Sequence, residues 1–357
     1  MTTTSALRQL GQSLWLDNIT RALLDSGTLA RYKSELGVTG LTSNPTIYDR
    51  AIGGSGDYDT QIAAAAAAGV PAEEIFFGLA LDDLTRAADL FRPVYDATEG
   101  IDGFVSLEVS PELAYDAATT LAEAKRLWTK GGRANLLIKI PGTPQGLGAI
   151  EEAIFAGVPI NVTLLFSPAQ YLACAGAYTR GIERRLAAGL PAYVPSVASL
   201  FISRWDGAVK GKIPAELELR LGLAVGRRAY ADAVAFFATE RWSALKAAGA
   251  RPQRLLFAST GTKDPTASPT LYVTGLAAPN TVNTIPEETL LAAGAQDLAS
   301  VDPIPASPGE ADTMLARFAQ AGIDVDAVGL DLQQKGAASF VASWTSLLAR
   351  VSEKSGT

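Results

Sequence analysis

Asn135-Leu136-Leu137-Ile138-Lys139-Ile140 reads as a buried strand that carries a charge. Parallel strands covered on both faces are near-continuous runs of Val, Ile and Leu, and this one breaks the rule in a patterned way. Side chains alternate along a strand, so Leu136, Ile138 and Ile140 share one face and Asn135, Leu137 and Lys139 the other. The aliphatic face suits a layer of helices. Lys139 then points into the interior of a closed sheet, near the strand's C-terminal end, where α/β barrels carry their reactive groups.

Neighbouring stretches split in the same way. In Val105-Ser106-Leu107-Glu108-Val109-Ser110 the polar face carries Ser106, Glu108 and Ser110, and in Ile160-Asn161-Val162-Thr163-Leu164-Leu165 it carries Asn161 and Thr163. Asp17 ends Leu14-Trp15-Leu16-Asp17-Asn18, and Asn44 precedes Pro45 in Gly40-Leu41-Thr42-Ser43-Asn44-Pro45-Thr46. Each residue has an ordinary reading. Lys139 can snorkel or pair with a carboxylate, Glu108 can be that carboxylate, and Asn161 with Thr163 can be a satisfied core pair. Asp17 suits a helix N-cap, and Asn44-Pro45 suits a turn. Together they place polar side chains at the ends of five successive strands, converging on one mouth. There, burial disfavours the ammonium form of Lys139 and supplies the free amine that carbonyl addition requires.

Strand-like runs at 14–18, 38–42, 103–109, 135–140, 159–165, 193–199, 254–259 and 280–284 alternate with longer helical stretches. The helices fall at 61–68, 71–91, 110–128, 146–156, 168–188, 216–248 and 286–293, with two terminal ones at 308–321 and 335–352. This alternation predicts a single (β/α)8 TIM barrel with additional C-terminal helices, one domain over 1–357. A doubly wound open sheet is the competing architecture, but no Gly-x-Gly-x-x-Gly turn follows the first strand.

Composition narrows the chemistry. The chain contains no histidine and one cysteine, Cys174. That removes Ser-His-Asp triads and Cys-His pairs, ordinary zinc sites and any internal disulfide framework. Covalent chemistry is left to lysine, carboxylate or hydroxyl. Cys174, among small neighbours, reads as a packing residue. The net charge of −7 and the lack of basic runs disfavour nucleic acid and anionic membranes as partners. No stretch approaches the apolar length of a membrane helix, and residues 1–11 lack the pattern of a signal peptide. A cytoplasmic location is the expectation.

The stretches Thr42-Ser43-Asn44-Pro45-Thr46, Ser106-Leu107-Glu108-Val109-Ser110, Leu137-Ile138-Lys139-Ile140-Pro141-Gly142-Thr143 and Asn161-Val162-Thr163-Leu164-Leu165-Phe166-Ser167 resemble the transaldolase family, from about residue 10 onward. The longer bacterial, actinobacterial-type members are the most similar. The resemblance implies a class I aldolase-like barrel of the non-oxidative pentose phosphate pathway, a monomer or homodimer acting on sugar phosphates without cofactor or metal. It implies Lys139 as the Schiff-base nucleophile, Asp17 as the acid–base group at the C4 hydroxyl, and Glu108 relaying protons through a water placed by Thr163. Asn44, Asn161 and Ser199 would bind the hydroxyls of the dihydroxyacetone unit. For the phosphate it implies Arg204 and, after the seventh strand, Lys263 where an arginine is usual. Lysine supplies charge without bidentate geometry. The ordinary reading of Arg204 is an ion pair with a carboxylate such as Asp206.

Three rivals remain open at this level. A related Schiff-base aldolase, such as a fructose-6-phosphate aldolase, would release the three-carbon product. A glycoside hydrolase would use Asp17 and Glu108 as its carboxylate pair, leaving Lys139 without a role. A sugar-phosphate-binding scaffold would leave Lys139 inert.

Overall fold

The computed structural model describes residues 1–298 and 300–356. Eight parallel strands close into a barrel in sequence order. They are β1 (Ser13–Leu16), β2 (Val38–Thr42), β3 (Val105–Glu108), β4 (Leu136–Pro141), β5 (Ile160–Leu165), β6 (Ser196–Phe201), β7 (Arg254–Ala258) and β8 (Val282–Ile285). Pairing of Ser13 with Val282 and Leu16 with Ile285 shuts the ring. The expected barrel and its extra C-terminal helices, Gly309–Gln320 and Val325–Ser355, are present.

Register carries the charged residues to one level. Glu108 on β3 lies opposite Lys139 on β4, and Lys139 lies opposite Asn161 on β5. Leu136, Ile138 and Ile140 are fully buried. Asn135 lies just ahead of β4, and its amide Nδ2 donates to the carbonyls of Ala88 and Gly103 at 2.8 Å each. It tethers β4 to a neighbouring helix, so Lys139 is the one polar side chain that β4 itself brings to the cavity.

Several boundaries differ from those the sequence suggests, each for a local reason. Asn44-Pro45 opens the helix Pro45–Gly54, with Asn44 as side-chain cap and proline in the first turn. The stretch 216–248 divides into Leu221–Phe237 and Glu240–Ala247, because Thr239 adopts extended backbone between them. The last helix begins at Val325, capped by Asp324. Its Val- and Gly-containing first turns hide the start, because such residues are weak helix formers. Cys174 is buried, and burial pushes its thiol up to about 12, which fits packing.

Candidate active site

The C-terminal ends of the strands open into a cavity of about 770 Å³ whose wall includes Asp17, Asn44, Lys139, Thr163, Ser199, Arg204 and Lys263. Lys139 and Glu108 are buried, with side chains 6% and 3% exposed. The Nζ of Lys139 donates to the Ser43 carbonyl at 2.9 Å and lies 3.2 Å from Oε2 of Glu108. The Ser43 carbonyl is held in place because its own hydroxyl donates to the Ser106 carbonyl at 2.7 Å. Neither oxygen of Glu108 has an aligned hydrogen-bond donor among the described residues, so its contact with Lys139 is an ion pair of imperfect alignment. Burial raises the Glu108 carboxyl above the usual range, offset by the Lys139 charge and reinforced by Asp17.

Asp17 follows β1 and is held by main chain and side chain together. Its N–H donates to the Ile285 carbonyl at 2.9 Å, and its Oδ1 accepts from Thr42 Oγ1 at 2.8 Å. Thr42 in turn lies 2.6 Å from Thr284 Oγ1. Asp17 caps no helix; Thr20 does that for Arg21–Asp25. Burial raises the Asp17 carboxyl, while Lys139, the Thr42 hydroxyl and Arg204 pull it back. Two carboxylates with raised proton affinity therefore flank one buried amine, a pattern typical of acid–base chemistry.

β5 is irregular where the chemistry converges. Its register against β6 shifts between Val162 and Leu165, and Leu164 takes a left-handed backbone conformation at φ 59°. The irregularity falls beside Thr163, whose side chain lines the cavity. The amide of Gln333, from the C-terminal helix, donates to the carbonyls of Leu164 at 2.9 Å and Gly142 at 3.0 Å. Thr163 Oγ1 is buried without a partner among the described residues.

Asn161 is placed differently from its neighbours. Its Nδ2 donates to Ser106 Oγ at 3.0 Å and its Oδ1 accepts from Ser199 Oγ at 2.7 Å. It stands behind Ser199, which reaches the cavity. Asn44 also reaches it, although its Oδ1 accepts the Ile47 N–H at 3.1 Å as a cap.

The cations separate into two kinds. Arg204 is half-buried and pairs with no carboxylate among the described residues; its guanidinium carbon lies 5.1 Å from the ring centre of Phe201 and 5.9 Å from that of Phe340. The suggested partner Asp206 is buried elsewhere, accepting from the N–H groups of Leu221 and Gly222 and the hydroxyl of Tyr272. Lys263 is exposed on the cavity rim, as is Arg50. Arg50 was not singled out from sequence, because it lies on the helix that the Asn44-Pro45 turn concealed. Asn18, Tyr32 and Glu287 also went unnoticed. Glu287 accepts from Asn18 Nδ2 at 2.9 Å and from the Tyr32 hydroxyl at 2.7 Å, joining residues 255 or more apart. No short motif could have signalled that.

Comparisons with known proteins place the chain in a family. The family described as Transaldolase/Fructose-6-phosphate aldolase matches residues 14–351. The transaldolase of Arthrobacter sp. (strain FB24) is 43% identical over 98% of this chain and 96% of its own length. That of Acidothermus cellulolyticus is 44% identical, over 97% and 95%. That of Thermobifida fusca is 44% identical, over 98% of each. With a buried lysine on β4, two carboxylates at the same barrel mouth and a match over nearly the whole barrel, the chain belongs to the transaldolase/fructose-6-phosphate aldolase family.

Proposed function

We propose that this protein is a transaldolase, a transferase that moves a dihydroxyacetone unit between sugar phosphates through a Schiff base on Lys139. The observation that carries the proposal is the buried Lys139 amine, 3.2 Å from Glu108 and opening into the cavity that Asp17 lines. The reaction converts sedoheptulose 7-phosphate and glyceraldehyde 3-phosphate into erythrose 4-phosphate and fructose 6-phosphate, a step of the non-oxidative pentose phosphate pathway. One barrel domain over 1–357 performs it, in the cytoplasm.

In this reading Glu108 takes the ammonium proton of Lys139, and the free amine adds to the keto carbon of the donor. Glu108, through a water held by Thr163, moves the protons that turn the carbinolamine into an iminium with loss of water. Asp17 accepts the proton of the C4 hydroxyl while the C3–C4 bond breaks and its electron pair passes into the iminium. The aldose phosphate leaves, and the enamine carbon adds to the carbonyl of the acceptor. Asp17 returns its proton to the new hydroxyl, and hydrolysis frees the product and the amine. Asn44 and Ser199 bind the hydroxyls of the retained unit, with Asn161 aiming Ser199. Arg204 and Lys263 take the phosphate, joined at the rim by Arg50.

Borohydride reduction in the presence of fructose 6-phosphate tests the proposal. A stable adduct of the three-carbon unit should form on Lys139, and Lys139→Ala should lose both the adduct and turnover while remaining folded. An active Lys139→Ala enzyme would end the mechanism. A glycoside hydrolase would leave no adduct. Without an acceptor, free dihydroxyacetone should not accumulate beyond the amount of enzyme; sustained release would make the protein an aldolase.

A further inference from the structure

Arg204 is half-buried and has no carboxylate partner among the described residues, although Asp17 shares its cavity. Two aromatic rings hold it. Phe201 ends β6 and Phe340 lies on the C-terminal helix Val325–Ser355, with ring centres 6.4 Å apart at 62°. Both rings are buried and both line the cavity. One turn before Phe340, the same helix carries Gly336. A Cβ built there would stand 3.4 Å from Nη1 of Arg204 and 3.0 Å from Leu164. The helix thus meets the guanidinium with a ring at Phe340 and, one turn earlier, with a residue that has no side chain.

The helix is fixed over the mouth by independent contacts. Gln333 bonds the carbonyls of Gly142 and Leu164, Ser343 lies 2.8 Å from Thr46 Oγ1, and Arg350 and Lys354 pair with Asp49 and Asp59. Stacking on a ring attracts a guanidinium through the ring's quadrupole and leaves its N–H edge unused. A carboxylate in the same place would consume both the donors and the charge.

We propose that the C-terminal helix is a positioning element of the anion site: Phe340, with the gap at Gly336, holds Arg204 so that its N–H groups stay available for the phosphate of either substrate. This rests on the reading of Arg204 as a phosphate-binding cation. Preference for phosphorylated sugars is then set partly by a helix far from the strand residues in sequence.

The measurement is the ratio of kcat/KM for glyceraldehyde 3-phosphate to that for glyceraldehyde as acceptor, with fructose 6-phosphate as the common donor. Phe340→Leu should lower this ratio about five- to thirtyfold, chiefly through KM for the phosphorylated acceptor. Phe340→Tyr, which keeps the ring, should restore most of it. Gly336→Ala leaves Phe340 intact and places a methyl in contact with Nη1 at 3.4 Å, so it should lower the ratio too, by less than Phe340→Leu. Arg204→Gln is measured beside them. If Arg204→Gln abolishes the preference while Phe340→Leu and Gly336→Ala keep it, the helix has no positioning role and the inference is overturned. If Phe340→Leu weakens both acceptors equally, the ring is only a wall, and the inference is again overturned. If Arg204→Gln keeps the preference, the anion-site reading itself falls.

Discussion

The two ends of the barrel use the same residue types in opposite ways. At the N-terminal floor, Asp102 accepts from Ser13 Oγ at 2.6 Å, the Trp15 indole at 2.8 Å and the Gly103 N–H at 2.9 Å. Arg254 nearby donates to Ser13 Oγ and to the carbonyls of Ile101 and Thr281. At the mouth, Glu108 has no aligned donor, Thr163 Oγ1 has no partner, and Arg204 rests on two rings with no carboxylate partner among the described residues. The floor spends Asp102 and Arg254 on closing the sheet. The mouth leaves bonding capacity open in a buried setting, where an unused polar group interacts strongly with whatever arrives. On the proposed mechanism, the buried charges of the floor are structural and those of the mouth are reagents.

The largest effect that would sharpen this contrast belongs to Asp17. Asp17→Asn keeps the shape and the Thr42 contact but cannot accept the C4 hydroxyl proton. Imine formation, read by borohydride trapping, should persist, while C–C cleavage falls by about 10²–10⁴-fold. An equal loss in both steps would move Asp17 out of the acid–base role. The floor should show the reverse. Asp102→Ala strands the Trp15 indole N–H and the Ser13 hydroxyl in a buried site and should lower unfolding free energy by roughly 2–4 kcal/mol. Its kcat/KM, measured well below the melting transition, should match the parent. A loss of activity without a loss of stability at Asp102 would erase the distinction between the two ends.

Thr163 gives a smaller effect with a sharper contrast. Its hydroxyl bonds no other group among the described residues, so Thr163→Val breaks no intramolecular bond and should leave stability within about 1 kcal/mol of the parent. The rate of imine formation should nonetheless fall roughly tenfold, because the proton relay from Glu108 loses its anchor. Unchanged imine formation would release Thr163 from that role.

Much of this was legible in the chain itself, because it follows from alternation. One charged or polar residue in an otherwise aliphatic strand can only face inward, and in-register pairing then forces Glu108, Lys139 and Asn161 to one level. The limits are equally physical. Alternation says which way a strand residue points but not what it meets, so Asn161 and Ser199 looked alike although Ser199 reaches the cavity and Asn161 stands behind it. It is silent about irregular backbone within a strand, such as the left-handed Leu164 directly after Thr163. It is also silent about long-range packing. Nothing local to Gly336 or Phe340 announces that they surround Arg204, more than a hundred residues earlier.

The finest test concerns the bond from Thr42 to Asp17. Burial raises the Asp17 carboxyl and the Thr42 hydroxyl opposes that rise, so Thr42→Val should raise it further. Asp17 must be ionised to act as a base. The acid limb of kcat/KM should therefore lie above the ordinary aspartate value in the parent and move to still higher pH in Thr42→Val. Stability carries the same sign. A carboxyl raised on folding favours the protonated native state, so its contribution is present below the unfolded value and lost as pH rises through the folded one. The stability gap between parent and Thr42→Val should accordingly be wider at neutral pH than below the ordinary aspartate range, as measured by urea unfolding at both. Thr284, which reaches Asp17 only through Thr42, should move the acid limb less when replaced by valine. If the limb stays in place in Thr42→Val, a group other than Asp17 sets it, and the open bonding capacity at the mouth would have to be assigned to Glu108 alone.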